Sequence, residues 1–181
     1  MNQEHRVTPI LLWGMMGAGK SALARHLCEN YGIESVDLDG SIAIQNGASV
    51  AELIETHGLE WFRATERQTL LSLLDAHTTQ VIALGGGALL DPEFRQTIRA
   101  RSYVCTLTAH PSILSQRIER QSDVRPLLKE AADDLASALK SLLEQRQDAY
   151  LDSDCVIDTS DLTIGQTADL IIPLFLNSEA A

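Results

Sequence analysis

One glycine-rich segment near the start of the chain limits the possible folds more than any other feature. An apolar run, residues 10–13, precedes it, and apolar residues at helical spacing follow it from Ala22 onward. The segment has the pattern Gly-x-x-x-x-Gly-Lys-Ser and consists of Gly14, Met15, Met16, Gly17, Ala18, Gly19, Lys20 and Ser21. Glycines leave room for backbone N–H groups to turn towards a ligand, and a strand before with a helix after completes a cradle for phosphate groups.

Two side chains at the end of this segment predict a nucleotide site. Lys20 can bring positive charge to the β- and γ-phosphates, and the hydroxyl of Ser21 can ligate Mg²⁺. The amino end of the following helix adds a partial positive charge. The alternative is a glycine-rich turn without a ligand, which the flanking strand and helix disfavour. We therefore expect residues 14–21, called the phosphate loop below, to bind the phosphates of a nucleotide.

Short strand-like runs alternate with helical patterns along the whole chain. Five runs are expected to be strands: residues 10–13, 35–39, 81–84, 103–107 and 156–157. Three residues are expected to be helix N-caps: Ser49, Asp91 and Thr163. Apolar strands separated by helices are typical of a parallel sheet covered on both faces. We therefore predict one α/β domain over residues 1–181, a three-layer α/β/α sandwich with a five-stranded parallel sheet.

The charge balance narrows the class of partner. The chain of 181 residues has 14 basic and 25 acidic residues and a net charge of −11. Such a surface repels nucleic acid and anionic lipid, so we predict neither a nucleic-acid partner nor a membrane partner. A nucleotide is itself an anion, so its site has to be locally basic, and each arginine is therefore more informative than usual.

The amino end and the cysteines indicate the compartment. The first residues are mostly polar, and the three cysteines, Cys28, Cys105 and Cys155, lie far apart. No apolar stretch is long enough to span a membrane. These features predict no signal peptide and reduced thiols, which are typical of a cytoplasmic protein. Cys28 and Cys105 stand among apolar residues and are expected in the core.

Three segments that suit ligand binding follow directly after predicted strands. They are the phosphate loop, the pair Asp37 and Asp39, and the glycine triplet formed by Gly85, Gly86 and Gly87. The carboxyl ends of parallel strands meet at one edge of a sheet, so we expect all three segments at a single crevice. Three glycines after a buried strand allow a close backbone approach to a ligand, and a flexible turn is the alternative.

Asp37 and Asp39 are expected to end the second strand. Residues two apart on a strand point to the same side, which would bring both carboxylates beside the phosphates. One carboxylate would lie near Mg²⁺, and the other would accept a proton from a substrate hydroxyl. The alternative is a polar turn that caps the next helix.

Two arginines outside the phosphate loop are candidates for anion binding. Arg63 and Glu66 lie three residues apart on a predicted helix. They form either a surface ion pair or a pair in which Glu66 holds the Arg63 guanidinium for a substrate carboxylate. Arg125 lies in a polar stretch, residues 121–130, between two predicted helices. That stretch is either an ordinary surface loop or a lid that brings Arg125 to the transferring phosphoryl group.

Taken in order, these motifs resemble the shikimate kinase family of phosphate-loop proteins. The resemblance covers about residues 7–175 and rests on GMMGAGKS, DLD, FRATE, ALGGGAL, VRPLL and RQDAY. The family has a phosphate-loop kinase fold with a mobile lid and transfers the γ-phosphoryl group of ATP to the 3-hydroxyl of shikimate, on the way to chorismate and the aromatic amino acids. The resemblance implies that the protein uses ATP and Mg²⁺ and binds shikimate, and we expect it to act as a monomer.

The resemblance also implies a role for each motif residue. Three residues would be catalytic: Lys20, Asp39 and Arg125. ATP would be bound by the phosphate loop, by Arg125, and by Arg117 or Arg120 at the adenine. Shikimate would be bound by Asp39, Arg63, the glycine triplet and Arg146. Mg²⁺ would be bound by Ser21 and, through water, by Asp37.

Two other functions remain as alternatives. A kinase of the same fold could act on another polyol acid, such as gluconate, but Arg63, Arg146 and the glycine triplet disfavour it. A catalytically silent sensor or partner protein is expected to have lost Lys20, Asp39 or Arg125, and all three are present.

Overall fold

A five-stranded parallel sheet lies at the centre of the computed structural model, which describes residues 8–78, 80–120 and 135–178. In chain order the strands are β1 (Ile10–Gly14), β2 (Ser35–Asp37), β3 (Val81–Ala83), β4 (Tyr103–Thr108) and β5 (Cys155–Asp158). Their order across the sheet is β2-β3-β1-β4-β5, and every neighbouring pair is parallel. The predicted sheet is therefore confirmed.

Helices connect the strands and cover the sheet. They are α1 (Lys20–Tyr31), α2 (Leu38–Asn46), α3 (Val50–His57), α4 (Leu59–Ala76), α5 (Pro92–Arg99), α6 (Pro111–Glu119), α7 (Leu135–Leu151) and α8 (Ile164–Ser178). Helix α1 packs against α8, whereas α6 packs against α7. The predicted α/β/α class is confirmed by this arrangement.

The interior strands explain the apolar runs in the sequence. Strands β1 and β3 are buried along their whole length, as expected for interior strands of a parallel sheet that helices cover. Leu12 of β1 pairs with Ala83 of β3 and with Cys105 of β4. The edge strand β5 instead alternates between half-buried and exposed residues. The phosphate loop therefore follows the central strand of the sheet.

The expected N-caps begin helices as predicted. Ser49 and Glu52 form a capping box at the start of α3. The carboxylate of Asp91 accepts a backbone N–H in the first turn of α5. The hydroxyl of Thr163 accepts the N–H of Gln166 at 3.2 Å at the start of α8. Each cap satisfies an N–H group that the first helical turn would otherwise leave open.

The second strand is shorter than predicted, and this changes the geometry of Asp37 and Asp39. Strand β2 ends at Asp37, whose Oδ1 accepts the N–H of Gly40 at 3.0 Å and caps α2. Asp39 lies in the first turn of that helix. The prediction that both carboxylates project from one side of a strand is wrong, because the cap at Asp37 starts a helix immediately after the strand.

One of the two cysteines expected in the core lies at the surface. Cys105 is buried, as predicted, but Cys28 is exposed. Helix α1 buries Leu23, Ala24 and Leu27, and Cys28 lies beyond this face. The apolar neighbours of Cys28 in the sequence therefore did not indicate its own burial, because helical position decides which residues face the core.

The predicted lid, residues 121–130 with Arg125, lies outside the described residues. The predicted helix that follows this stretch is described from Leu135 onward, as α7. Across the described ranges, none of the helices combines the length and the apolar character that crossing a membrane requires.

Candidate active site

The phosphate loop joins the end of β1 to the start of α1, as predicted. Gly14, Gly17 and Gly19 have φ angles of 122°, 79° and 97°, a region that favours glycine. Gly19 is the N-cap of α1, and no side chain of the described residues caps this helix. The first turn of α1 therefore presents backbone N–H groups and the positive end of the helix dipole to an anion in the loop.

Close backbone contacts fix the shape of this loop. A Cβ atom on Gly14 would lie 2.0 Å from the carbonyl oxygen of Leu107 in β4. A Cβ atom on Gly17 would lie 2.9 Å from the carbonyl oxygen of Leu114 in α6. Glycine is therefore required at both positions by the available space as well as by the backbone angle.

Lys20 is nearly buried, with 9% of its surface exposed. Its Nζ donates hydrogen bonds to the carbonyl oxygens of Gly14 and Met15, both at 2.8 Å. The side chain is thus curled back over the loop, so its ammonium group lies against the segment that is predicted to bind the phosphates of a nucleotide.

The two arginines at the end of α6 differ in their contacts. Arg117 donates to the carbonyl oxygen of Thr159 at 2.6 Å and to the hydroxyl of Thr159 at 2.9 Å. Nη1 of Arg117 also lies 3.5 Å from the carbonyl oxygen of Gly17. The hydroxyl of Thr159 lies 3.3 Å from the carbonyl oxygen of Ala18. Arg120 is exposed just after α6. Arg117 is therefore the one held against the phosphate loop, through a threonine that the sequence analysis did not identify.

On the β2 and β3 side of the loop, two carboxylates lie against Gly85. A Cβ atom on Gly85 would be 2.6 Å from Oε1 of Glu66 and 3.0 Å from Oδ1 of Asp39. Glu66 has only 1% of its surface exposed. Burial raises the pKa of the Glu66 carboxyl, and the charge of Arg63 opposes this rise whereas that of Asp39 adds to it. The space beside Gly85 is filled by carboxylate oxygens, so no side chain fits there.

The guanidinium groups of Arg63 and Arg146 converge on the glycine triplet from α4 and α7. Nη1 of Arg63 donates to Oε2 of Glu66 at 2.5 Å. Nη2 of Arg63 lies 2.2 Å from the position that a Cβ atom on Gly87 would take. Nη1 of Arg146 lies 3.3 Å from the corresponding position on Gly86. The Arg63 pair is thus not a surface pair, and two guanidinium groups beside bare backbone suit a carboxylate ligand.

One tyrosine that the sequence analysis did not single out lies between the phosphate loop and the glycine triplet. The hydroxyl of Tyr150 donates to the carbonyl oxygen of Gly86 at 3.0 Å and lies 3.5 Å from Sδ of Met15. The Tyr150 ring packs edge-on against Trp13, with 4.7 Å between ring centroids. Tyr150 follows Arg146 by one turn of α7, and this spacing is the signal that could have identified it.

Known proteins resemble this chain over nearly its whole length. A family model described as shikimate kinase matches residues 16–174. The shikimate kinase of Xanthomonas axonopodis pv. citri is 38% identical over 169 residues, which cover 91% of each chain. The shikimate kinase of Caldanaerobacter subterraneus subsp. tengcongensis is 34% identical over 169 residues, covering 92% of this chain and 95% of the relative. The chain belongs to the shikimate kinase family.

The fold agrees with a solved structure of this family. The chain superposes on a shikimate kinase from Acinetobacter baumannii in complex with shikimate, with a TM-score of 0.83 and 30% identity. The match covers 98% of this chain and 97% of the other. The family resemblance drawn from the ordered motifs is therefore confirmed, and the protein is an ATP-using kinase of the phosphate-loop class.

The sequence resemblance predicts that Ser21 and Asp37 hold Mg²⁺. Ser21 is exposed in the first turn of α1, and Asp37 is half-buried and uses one carboxylate oxygen to cap α2. Within residues 8–78, 80–120 and 135–178, no group of three or more His, Cys, Asp or Glu side chains is arranged to hold a metal ion. A hydroxyl and a carboxylate nevertheless fit Mg²⁺, which keeps several waters and takes further oxygen ligands from substrate phosphates.

Proposed function

We propose that the protein transfers the γ-phosphoryl group of ATP to the 3-hydroxyl of shikimate, giving ADP and shikimate 3-phosphate. The observation that carries this proposal is the convergence of Asp39, Arg63 and Arg146 on the glycine triplet. An acceptor with one carboxylate and several hydroxyls matches this set, because guanidinium groups bind carboxylates and an aspartate accepts hydrogen bonds from hydroxyls. The family match and the relatives named shikimate kinase support the same substrate.

In the donor half of the site, the phosphate loop binds the phosphates of ATP. Lys20 exchanges its bonds to loop carbonyls for bonds to the β- and γ-phosphate oxygens. Ser21 and, through water, Asp37 would hold Mg²⁺, which would supply positive charge beside the phosphates. Arg117, which the Thr159 contacts hold beside the loop, is proposed for the adenine contact in preference to Arg120.

In the acceptor half, Arg63 and Arg146 bind the shikimate carboxylate, and Asp39 and the glycine triplet bind its hydroxyls. The 3-hydroxyl oxygen attacks the γ-phosphorus, and the bond from that phosphorus to the bridging oxygen of ADP breaks. Asp39 accepts the proton that the hydroxyl loses. Arg125, in the lid, approaches the γ-phosphate and stabilises the charge on the transferring group.

Several wider properties belong to the same proposal. The protein is proposed to act as a single domain and a monomer in the cytoplasm, without a nucleic-acid or membrane partner. Its net charge of −11 supports the exclusion of nucleic acid and anionic lipid. The sheet that carries both halves of the site supports a single domain.

A coupled assay with ATP and Mg²⁺ tests this function on three acceptors: shikimate, quinate and gluconate. We expect turnover of shikimate, with much lower rates on the other two. The variant Lys20→Ala gives the background rate that contaminating kinases contribute. If the folded protein phosphorylates gluconate but not shikimate, it is a kinase that acts on another polyol acid. If it binds ATP but turns over none of the three acceptors, it is a catalytically silent sensor or partner protein.

A further inference from the structure

The hydroxyl of Tyr150 is buried where the phosphate loop, the glycine triplet and Arg146 meet. Tyr150 has 4% of its surface exposed, and its hydroxyl donates to the carbonyl oxygen of Gly86 at 3.0 Å. Burial raises the pKa of this hydroxyl, and the nearby Arg146 guanidinium opposes the rise. Nη1 of Arg146 and the Tyr150 hydroxyl lie 3.3 Å and 3.4 Å from the position that a Cβ atom on Gly86 would take, so the two groups meet beside this glycine.

The bond to Gly86 fixes a peptide unit that glycine would otherwise leave free to rotate. A peptide is planar and trans, so a carbonyl that points at Tyr150 directs the N–H of Gly87 to the opposite side. Gly87 is also the residue against which Arg63 lies, with Nη2 at 2.2 Å from the Cβ position. One hydroxyl thus sets the direction of a triplet N–H group and lies beside the Arg146 guanidinium.

The ring of Tyr150 makes a separate, apolar contribution. It packs edge-on against Trp13, with 4.7 Å between ring centroids, and the hydroxyl lies 3.5 Å from Sδ of Met15. Trp13 and Met15 are both fully buried. Phenylalanine at position 150 would keep the ring packing and lose only the hydrogen bonds, so Tyr150→Phe separates orientation from packing.

We propose that Tyr150 is a positioning residue whose hydroxyl aligns the Arg146 guanidinium and the Gly87 N–H for the carboxylate of the acceptor substrate. This inference rests on the proposed function, which assigns the shikimate carboxylate to these groups. In this proposal Tyr150 acts through Arg146 and the triplet, and not by contact with the substrate. Loss of the hydroxyl should weaken shikimate binding and leave ATP binding unchanged.

Steady-state kinetics of Tyr150→Phe test the inference. We expect the KM for shikimate to rise about 10-fold, with the KM for ATP and the kcat within about twofold of wild type. Tyr103→Phe is a matched control, because the Tyr103 hydroxyl lies 3.5 Å from the Asp154 carbonyl oxygen and Tyr103 begins β4, away from the site. A purely structural role would lower the melting temperature of Tyr150→Phe without changing the KM for shikimate, and this result would overturn the inference.

A double-mutant cycle with Arg146→Gln tests the route through Arg146. In the wild-type background, Tyr150→Phe should raise the Kd for shikimate about 10-fold. In the Arg146→Gln background it should raise the Kd clearly less, because glutamine does not bind the carboxylate as arginine does. Equal effects in both backgrounds would show that the hydroxyl does not act through Arg146, and the inference would be rejected.

Fluorine NMR keeps the inference testable if Tyr150→Phe does not fold. The chain has three tyrosines, so a Tyr31→Phe/Tyr103→Phe protein labelled with 3-fluorotyrosine carries one reporter, at Tyr150, with its hydroxyl retained. Saturating shikimate should shift this resonance, and an unchanged resonance would contradict the inference.

The wild-type protein distinguishes this inference from the proposed function. Wild type that phosphorylates shikimate, together with an indistinguishable Tyr150→Phe, would overturn only the positioning role. Wild type that neither binds nor phosphorylates shikimate would overturn the proposed function and the positioning role together.

Discussion

Among single residues, Asp39 is the one on which the proposed proton transfer depends. Asparagine has nearly the same shape but accepts no proton at this position, so Asp39→Asn should lower kcat by about 10²-fold or more. The Kd for ATP should stay within about twofold of wild type, because Asp39 lies against Gly85 in the acceptor half. Steady-state kinetics and calorimetric titration with ATP measure the two effects.

A surface aspartate provides the control for that substitution. Asp169 is exposed on α8, so Asp169→Asn changes the net charge by the same amount without changing the site. Its kcat should equal that of wild type. If Asp39→Asn also keeps full turnover, another group accepts the proton and Asp39 only binds the substrate.

Glu66 is a second residue with a measurable signature, in this case in stability. Burial raises its pKa above the usual 4.5, so the folded protein binds a proton at Glu66 more tightly than the unfolded chain does. The stability that Glu66 contributes is therefore fully present below pH 4.5 and declines as pH rises through the raised pKa. The free energy of unfolding of wild type, taken relative to Glu66→Gln, should fall across this window.

Urea unfolding of wild type and Glu66→Gln at several pH values measures this difference. The subtraction removes the contributions of all other titrating groups that the two proteins share. A difference that stays constant or rises with pH would contradict the raised pKa. The same variant should also bind shikimate more weakly, because neutral glutamine holds the Arg63 guanidinium less firmly than a carboxylate does.

At the scale of elements, the start of α2 combines a structural and a proposed catalytic role in Asp37. Asp37→Ala removes the cap and should lower the free energy of unfolding by about 1 kcal/mol. Asp37→Asn keeps a good capping residue, so its stability should match wild type. Both variants lose the carboxylate proposed for Mg²⁺, so both should need more Mg²⁺ for half-maximal activity.

The N-cap of α5 supplies the comparison for this prediction. The carboxylate of Asp91 accepts the N–H of Phe94 at 2.9 Å, the same kind of bond that Asp37 makes. Asp91→Ala should therefore lose stability like Asp37→Ala while its Mg²⁺ requirement stays that of wild type. If Asp37→Ala, Asp37→Asn and Asp91→Ala all need the same Mg²⁺ concentration for half-maximal activity, Asp37 does not contribute to Mg²⁺ binding.

What the sequence could predict about these elements depended on whether the signal was local. The Asp91 cap and the Arg63 and Glu66 pair lie within one helical turn, so spacing alone predicted them. The early end of β2 was missed because the same Asp-x-Asp pattern suits a strand end and a helix start. The roles of Thr159 and Tyr150 were missed because their partners, Arg117 and Gly86, lie on other elements.

For the whole molecule, the two tryptophans provide a test of the single domain. Trp13 is buried in the central strand, and Trp61 lies half-buried on α4 beside the acceptor half of the site. Trp61→Phe leaves Trp13 as the fluorescent reporter, and Trp13→Phe leaves Trp61. If the protein unfolds as a single cooperative unit, the urea transition seen by tryptophan fluorescence should coincide, in each variant, with the transition seen by far-UV circular dichroism. A separate midpoint for Trp61 would show that α4 unfolds independently.

The central position of β1 has a consequence for synthesis of the chain. Its neighbours in the sheet, β3 and β4, are Val81–Ala83 and Tyr103–Thr108, so the ribosome makes both long after the phosphate loop. Leu107, which closes the space around Gly14, belongs to the later of them. The nucleotide site therefore takes shape only after more than half of the 181 residues have been translated. A chain truncated before β4 would have the complete loop sequence but would lack the strand that closes the space around Gly14.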